Sequence, residues 1–215
     1  MREKILGVLN HPLLGLGQDI DFDKTAEQVE LFLDEWKKWN DKINLTSEKD
    51  AAFTLNKHIF DSLQYYRAIK SDSKALDIGS GAGFPGIPLK ILLPELEMVL
   101  VESQRKRASF LASVIGKCRL ERIRVCNERA ENLEDREGFA KEFDCVLFRS
   151  VGKLKECIAL GEPFLKAGGR IIIKKSPGSI VEEIEGSPII LIERVAIKNL
   201  EGQESELLIL EKCST

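Results

Sequence analysis

Residues Lys74-Ala75-Leu76-Asp77-Ile78-Gly79-Ser80-Gly81-Ala82-Gly83-Phe84-Pro85-Gly86-Ile87-Pro88 limit the fold more tightly than any other stretch. An apolar run ends in an acid, a glycine-rich turn follows, and an apolar, helix-like run extends from Ile87 to Leu93. The pattern reads as strand, turn, helix. Alternating glycines let the backbone turn sharply and approach a ligand with no Cβ in the way. Amides at the start of the next helix are expected to point at that ligand. Pro85 and Pro88 suit a loop exit and a first helical turn, where a missing N–H costs little.

Gly81-x-Gly83-x-x-Gly86 also matches the dinucleotide fingerprint, so the glycines alone do not identify a ligand. Asp77 shifts the reading. A carboxylate at the end of the first strand is ill suited to a neighbouring pyrophosphate and well suited to an ammonium or another cation. S-adenosylmethionine carries an ammonium, a carboxylate, a sulfonium and a ribose, and no phosphate. A tight turn without any ligand is the plain alternative, but it does not need three spaced glycines.

At 215 residues the chain can bury a proper core, and one compact unit with a lead-in segment is the simplest organisation. Hydrophobic and charged fractions of 43% and 31% are those of soluble globular proteins. No apolar run approaches membrane-span length, and the first residues form no convincing signal peptide. Five cysteines without C-x-x-C spacing favour a reducing cytosol over a disulfide framework or a zinc cage. The two histidines, His11 and His58, are too far apart to suggest a metal site, and no metal is expected. The net charge of −3 hides an uneven distribution. Residues 19 to 35 and 182 to 211 are acidic, whereas Arg105, Lys106, Arg107, Lys117, Arg119, Arg122 and Arg124 make the middle basic. Such a basic face can contact phosphates despite the total, or be a solvated helix face.

A short helix with a Gly15/Gly17 turn opens the chain, and Val29, Phe32, Leu33, Trp36 and Trp39 recur at helical spacing over 24–39. The two tryptophans suit core packing better than base stacking. A polar break over Asn40–Ser47 precedes a helical stretch over Glu48–Ile69, in which His58 and Asp61 share a face. Packing or capping explains that pair on physics alone. From Lys74 strands and helices alternate, the mark of an α/β sheet. Strands are expected at 97–101, 123–126, 143–148 and 170–174, with helices at 104–117 and 153–165. Ile180–Glu185 reads as a short helix. Ile189–Ile197 and Leu207–Leu210, separated by Gly202, would close the sheet as an antiparallel hairpin. The division expected is a helical extension over 1–72 packed on a core over 73–215.

Open α/β sheets bind ligands beyond the carboxyl ends of their strands. Four polar clusters fall there: Asp77 to Gly83, Glu102-Ser103, Ala130-Glu131 and Arg149-Ser150. Glu102 can accept both hydroxyls of an adenosine ribose. Ala130-Glu131 would lie near an adenine ring, although an acid at a helix start is an alternative. Arg149 can hold a cofactor carboxylate or an RNA phosphate, or form a structural salt bridge.

The glycine loop with Phe84-Pro85-Gly86-Ile87-Pro88-Leu89-Lys90, together with Glu102-Ser103-x-x-Lys106-Arg107, resembles bacterial methyltransferase G of small-subunit ribosomal RNA, also called glucose-inhibited division protein B. The likeness extends through Asn44-Leu45-Thr46, His58-Ile59-x-Asp61-Ser62-Leu63, Arg129-Ala130-Glu131, Asp144, Arg149 and Gly168-Gly169 before Lys174. Ser150 departs from the alanine usual at that place.

The resemblance implies a class I, Rossmann-like S-adenosylmethionine-dependent methyltransferase, with a mainly parallel sheet. It implies methyl transfer to N7 of one guanine of 16S rRNA near the decoding region, in the cytoplasm. It also implies a small-ribosomal-subunit partner, no membrane, a monomer, and low-level streptomycin resistance on loss of activity. Cofactor contacts are expected from Asp77, Gly79, Gly81, Gly83, Phe84, Glu102, Ser103, Ala130, Glu131 and Arg149. RNA contacts are expected from Arg105, Lys106, Arg107, Arg122, Arg124, Lys174 and Lys175.

No nucleophile or base is needed, because guanine N7 has a free lone pair and no proton to lose; alignment alone can lower such a barrier by roughly 7–11 kcal/mol. Two alternatives stay open: an NAD-dependent oxidoreductase, and a non-catalytic ribosome-binding module.

Overall fold

The computed structural model describes residues 1–17, 19–149, 152–178 and 188–213. Ser150 and the helix expected at Ile180–Glu185 lie outside them. The lead-in contains α1 (Arg2–Leu9) and α2 (Phe22–Ile43). A mixed helical run follows: α3 (Ala51–Thr54), a π-helical turn (Leu55–Ile59), α4 (Phe60–Leu63) and a 3₁₀ turn (Gln64–Ala68).

Asp21 caps α2 by accepting the Lys24 N–H at 2.9 Å. The helix ends where Asn44 adopts a left-handed φ of 49°. The break thus begins four residues later than expected at Asn40, and burial is the reason. Asn40 is fully buried inside the last turns of α2. Its Oδ1 accepts the Thr46 N–H at 2.8 Å and its Nδ2 donates to the Glu48 carbonyl at 2.6 Å. One side chain therefore clamps the loop that follows.

The alternating part comprises β1 (Lys74–Ile78), α5 (Gly86–Leu92), β2 (Glu97–Val101), α6 (Arg105–Lys117) and β3 (Ile123–Cys126). It continues with β4 (Phe143–Phe148), α7 (Leu154–Gly161), β5 (Leu165–Lys175), β6 (Ile189–Lys198) and β7 (Glu204–Lys212). Among the described residues they form one seven-stranded sheet in the order β3-β2-β1-β4-β5-β7-β6. The first five strands in that order pair in parallel, and β7 is antiparallel to both β5 and β6. The hairpin expected at the carboxyl end is present, with β7 inserted between β5 and the edge strand β6. The helix expected through Leu165 stops at Gly161, because Pro163 holds a 3₁₀ turn at Glu162–Phe164. Strand β5 then starts early, and its register against β4 shifts between Phe143 and Cys145.

Side chains alternate across the sheet and build two apolar layers. Ala75, Met98, Leu100, Cys145, Leu147 and Ile172 pack with α1, α2, α4, α5 and α6. Leu76, Ile78, Val99, Val101, Val146 and Ile173 pack with α7 and its neighbours. The lead-in and the helices of the first two crossovers thus share one layer. Trp36 is fully buried there, and half-buried Trp39 packs on Phe110 with ring centroids 6.1 Å apart, as core packing requires. Glu35 joins α2 to α6 by accepting from Trp39 Nε1 and Ser113 Oγ, both at 2.7 Å.

The junction of β1 with α5 leaves no room for a side chain at Gly86. A Cβ placed on Gly86 would stand 2.5 Å from Leu100 Cδ2 and 2.6 Å from Asp77 Oδ2. Gly86→Ala is expected to lower stability by about 1–3 kcal/mol, the usual range for overpacking, with urea denaturation as the measurement.

Candidate functional site

Strand register brings the site together. Ile78 pairs with Val101 and Val101 with Cys126; Asp77 pairs with Leu147, and Phe148 with Ile173. The next residue on each strand therefore stands in one row along the carboxyl edge: Asn127, Glu102, Gly79, Arg149 and Lys174.

The glycine loop leaves β1 beneath that row. The Gly79 and Ser80 amides both donate to the Val101 carbonyl, at 2.9 and 3.1 Å. Gly79, Gly81 and Gly83 have φ of 75°, 54° and 87°, which side chains adopt only under strain. Gly79 is exposed and Gly81 half-buried, whereas Gly83 and Phe84 are buried.

The helix after the loop differs from expectation, because its amides are not presented to a ligand. The Gly86 N–H donates to Asp77 Oδ2 at 3.1 Å, Ile87 N–H to the Gly83 carbonyl at 2.8 Å, and Leu89 N–H to the Pro85 carbonyl at 3.2 Å. Pro85 and Pro88 have no N–H. Asp77 is 1% exposed and works inside the loop, as the acceptor that closes it onto β1. Burial pushes its carboxyl up to about 7, against the pull of the Gly86 amide.

Glu102 is likewise turned toward the loop. Its Oε2 accepts the Gly81 N–H at 3.0 Å and its Oε1 the Gln104 N–H at 2.7 Å. Each oxygen keeps a second lone pair. Sequence reasoning missed Asn127, whose Nδ2 donates to the carbonyls of Glu102 and Ser103 at 2.8 and 3.1 Å. An amide directly after a strand end was its only signal. Ala130 is buried at the head of a 3₁₀ turn, with Glu131 exposed beside it and Ser103 exposed on the neighbouring strand end.

The other half of the row meets the lead-in. Arg149 Nη2 is 2.8 Å from His58 Nδ1 and 3.7 Å from Asp61 Oδ2, and Lys174 Nζ donates to that same oxygen. His58 Nε2 lies 3.1 Å from Glu48 Oε2, and Lys57 reaches Glu48 Oε1 at 2.7 Å. Phe84 stacks on His58 with centroids 5.0 Å apart, and the Arg149 guanidinium lies 5.4 Å from the same ring. Tyr65 Oη donates to the Phe148 carbonyl at 2.9 Å. Burial pulls the Glu48 carboxyl up, but Lys57 and His58 hold it well below the usual range. Burial, and then Arg149, push His58 down. His58 and Asp61 thus join the site instead of forming a packing pair. The π-helical turn carries His58, a common use of that rare geometry.

The basic residues divide. Arg105, Lys106 and Arg107 fill the first turn of α6 beside the loop, and a Cβ on Gly81 would lie 4.0 Å from Arg107 Nη1. Lys175 Nζ donates to the Gly152 carbonyl at 3.0 Å. Arg122 directly precedes β3 at the opposite sheet edge, 3.8 Å from Glu95, and Arg124 lies over Phe139 at 4.9 Å. Those two stand away from the row.

A cleft of about 350 Å³ also opens at the opposite edge, lined by Ala68, Lys70, Asp72, Lys166, Gly168 and Arg170 among others. Two of its cations are paired: Lys166 with Asp144 at 2.8 Å, Arg170 with Glu211 at 3.0 Å. Among the described residues no cluster suits a metal. The five cysteines are free, and burial pushes the Cys118 and Cys145 thiols up to about 12, far from thiolate chemistry. No helix among the described residues is long and apolar enough to cross a membrane.

A mainly parallel sheet with an inserted antiparallel β7, and acids and glycines gathered on its carboxyl edge, defines a class I S-adenosylmethionine-dependent methyltransferase. The sheet resembles solved proteins such as TYW2 of M. jannaschii in complex with AdoMet, at a TM-score of 0.56 and 16% identity over 72% of this chain and 74% of that one. The family model GidB, rRNA small subunit methyltransferase G, matches residues 25–205, and the chain belongs to that family. Relatives named ribosomal RNA small subunit methyltransferase G include one from Desulfitobacterium hafniense, 35% identical over 92% of this chain and 87% of the relative. Another, from a Geobacter species, is 40% identical over 80% and 77%.

The buried Asp77 predicts a pH dependence. Between its ordinary value of 3.8 and about 7 the folded chain holds a proton that the unfolded chain has released. Stability therefore falls as pH rises through that window, by an amount on the order of 4 kcal/mol for the full shift. Urea unfolding at pH 5 and pH 8 is expected to show the part of this loss above pH 5, about 3 kcal/mol, in the natural protein and a smaller one in Asp77→Asn.

Proposed function

We propose that this chain transfers the methyl group of S-adenosylmethionine to N7 of one guanine in 16S rRNA, near the decoding region. The row Asn127, Glu102, Gly79, Arg149 and Lys174 is the observation that carries the reading. The loop suits an adenosyl cofactor without phosphate. The amides that would cradle a pyrophosphate are already used by Asp77, Gly83 and Pro85, which disfavours the dinucleotide alternative.

In this reading Gly79 and Gly81 receive the amino-acid end of the cofactor on a loop shaped by Asp77, Gly83 and the Phe84 wall. Glu102, braced by Gly81 and Gln104, offers its free lone pairs to the ribose hydroxyls, with Ser103 beside it. Ala130 and Glu131 border the adenine, and Arg149 meets the cofactor carboxylate or the substrate. A bound sulfonium supplies an already activated methyl group. The chain's task is to hold the guanine in line and exclude water, so no side chain needs to move a proton.

Arg105, Lys106 and Arg107 sit at the positive end of α6, where a cation costs about 0.3–1 kcal/mol without an anion nearby. Among the described residues no hydrogen bond or ion pair neutralises them, which suits RNA phosphates. Lys174 and Lys175 extend the same edge, whereas Arg122 and Arg124 would meet RNA only if it wrapped around β3. Residues 1–72 act as an extension packed on the 73–215 core, and the protein works as a cytoplasmic monomer on the small ribosomal subunit.

Calorimetric titration with S-adenosylhomocysteine is expected to give binding that Gly79→Arg abolishes, with no signal for NADH. NADH binding alone would overturn the reading. Methyl transfer to small subunits lacking the modification is expected in the natural protein, which separates it from a non-catalytic binding module. RNA affinity is expected to fall steeply with salt, and Arg105→Ala with Lys106→Ala to reduce the log–log slope by roughly 0.7–0.9 per cation removed.

A further inference from the structure

We propose that His58, held as the Nε2–H form by the Arg149 N–H at its Nδ1, is a positioning residue that aims the Arg149 guanidinium at the substrate side of the site. The inference deepens the methyltransferase reading and rests on it for its activity arm only.

A guanidinium has five N–H donors and no acceptor. Arg149 Nη2 is 2.8 Å from His58 Nδ1, so Nδ1 must be the bare, accepting nitrogen. The ring proton is then on Nε2, which lies 3.1 Å from Glu48 Oε2 in a charge contact that falls short of a hydrogen bond. The contacts form an ordered chain from Lys57 through Glu48, His58 and Arg149 to Asp61 and Lys174. Glu48, His58, Arg149 and Lys174 are each placed by a different part of the fold. The Asn40 clamp sets the Glu48 backbone, the π-helical turn sets His58, β4 sets Arg149 and β5 sets Lys174.

The stacking of Phe84 on His58 fixes the ring plane from the glycine loop. Arg149 would otherwise be free to swing onto Asp61, whose Oδ2 lies 3.7 Å away and already holds Lys174. The bond to His58 keeps the guanidinium over the Phe84 ring, beside the Gly79 strand end. An imidazolium could not perform this task, because its Nδ1–H would confront an Arg149 N–H. The charged groups around the ring are Glu48, Lys57 and Arg149, with Asp61 and Lys174 one step further. Burial and Arg149 push the ring toward its neutral form, against Glu48. The stretch contains the acid, the histidine and the second acid as separate motifs, and only their meeting with Arg149 assigns this role.

The chain has two histidines, so ring-nitrogen NMR can read the tautomer directly. In the free protein near neutral pH, one imidazole is expected as the Nε2–H form, and its signals vanish in His58→Gln. Arg149→Ala is expected to move the Nδ1 signal, and Glu48→Ala to weaken the tautomer preference. An Nδ1–H form, an imidazolium, or an Nδ1 signal indifferent to Arg149→Ala would overturn the inference, whatever the enzyme's substrate.

In single-turnover methyl transfer to unmodified small subunits, His58→Ala is expected to lose up to about a hundredfold through misplacement of Arg149. His58→Gln, whose carboxamide oxygen can accept the same N–H but cannot titrate, is expected to recover most of that loss. Its acid-side pH profile is also expected to be flatter than that of the natural protein. Equal activity of both variants, with circular dichroism unchanged, would sink the positioning role. Absence of transfer and of S-adenosylhomocysteine binding in the natural protein itself would instead overturn the methyltransferase reading, with the tautomer result standing separately.

Discussion

The carboxylate of Asp77 accepts the Gly86 N–H from within a fully enclosed space, and the geometry of the glycine loop at the carboxyl edge follows from that bond. It pins the start of α5 against β1, so Gly86 must lack a side chain and Leu100 can pack flush behind it. The loop between, from Gly79 to Pro85, must then reverse in a few residues. It does so through glycines in the left-handed region and through amides that donate to Val101 at the end of β2. Glu102 completes the frame from the outside by accepting the Gly81 N–H. Two acids thus hold the loop, one beneath it and one beside it. The buried acid is a costly way to achieve this, since a carboxylate without water resists ionisation.

The lead-in contributes polar groups to the strand-end row as well as packing. Its helices fill the same apolar layer as α5 and α6, so their position relative to the sheet is set by core contacts. That placement carries Glu48, His58 and Asp61 to the strand ends of β4 and β5, where Arg149 and Lys174 emerge. One half of the edge is made of glycines and acids. The other half alternates in charge around the His58 ring.

The alternating strands and helices from Lys74 onward were legible in the sequence because each crossover carries its own periodicity and punctuation. β2 and β3 match the expected ranges without change; locally, the Gly79–Gly86 loop marks the end of β1 and Pro94 the approach to β2. Helix ends governed by distant partners were less legible. The α2 terminus depends on Asn40, whose bonds to Thr46 and Glu48 are invisible to a helical-period count. The candidate cofactor edge was readable at Gly79, Glu102 and Arg149, since each directly follows a strand. Asn127 escaped because its work is done on the backbone of a neighbouring strand. The grouping of Arg122 and Arg124 with Arg105, Lys106 and Arg107 reflected closeness in sequence. A parallel crossover from α6 through β3 sends the two sets toward opposite edges.

By itself the sequence determined the sheet's rhythm, the sharp glycine turn and the identity of the residues that end each strand. These are local consequences of side-chain period and backbone freedom. Only the tertiary structure decided what those residues do. It turned Asp77 inward, spent the α5 amides on protein partners, and brought His58 to Arg149 across 91 positions of chain. The reason is physical: a hydrogen bond's partner is chosen by where packing places the two groups, and packing of the lead-in onto the sheet joins segments that share no local signal.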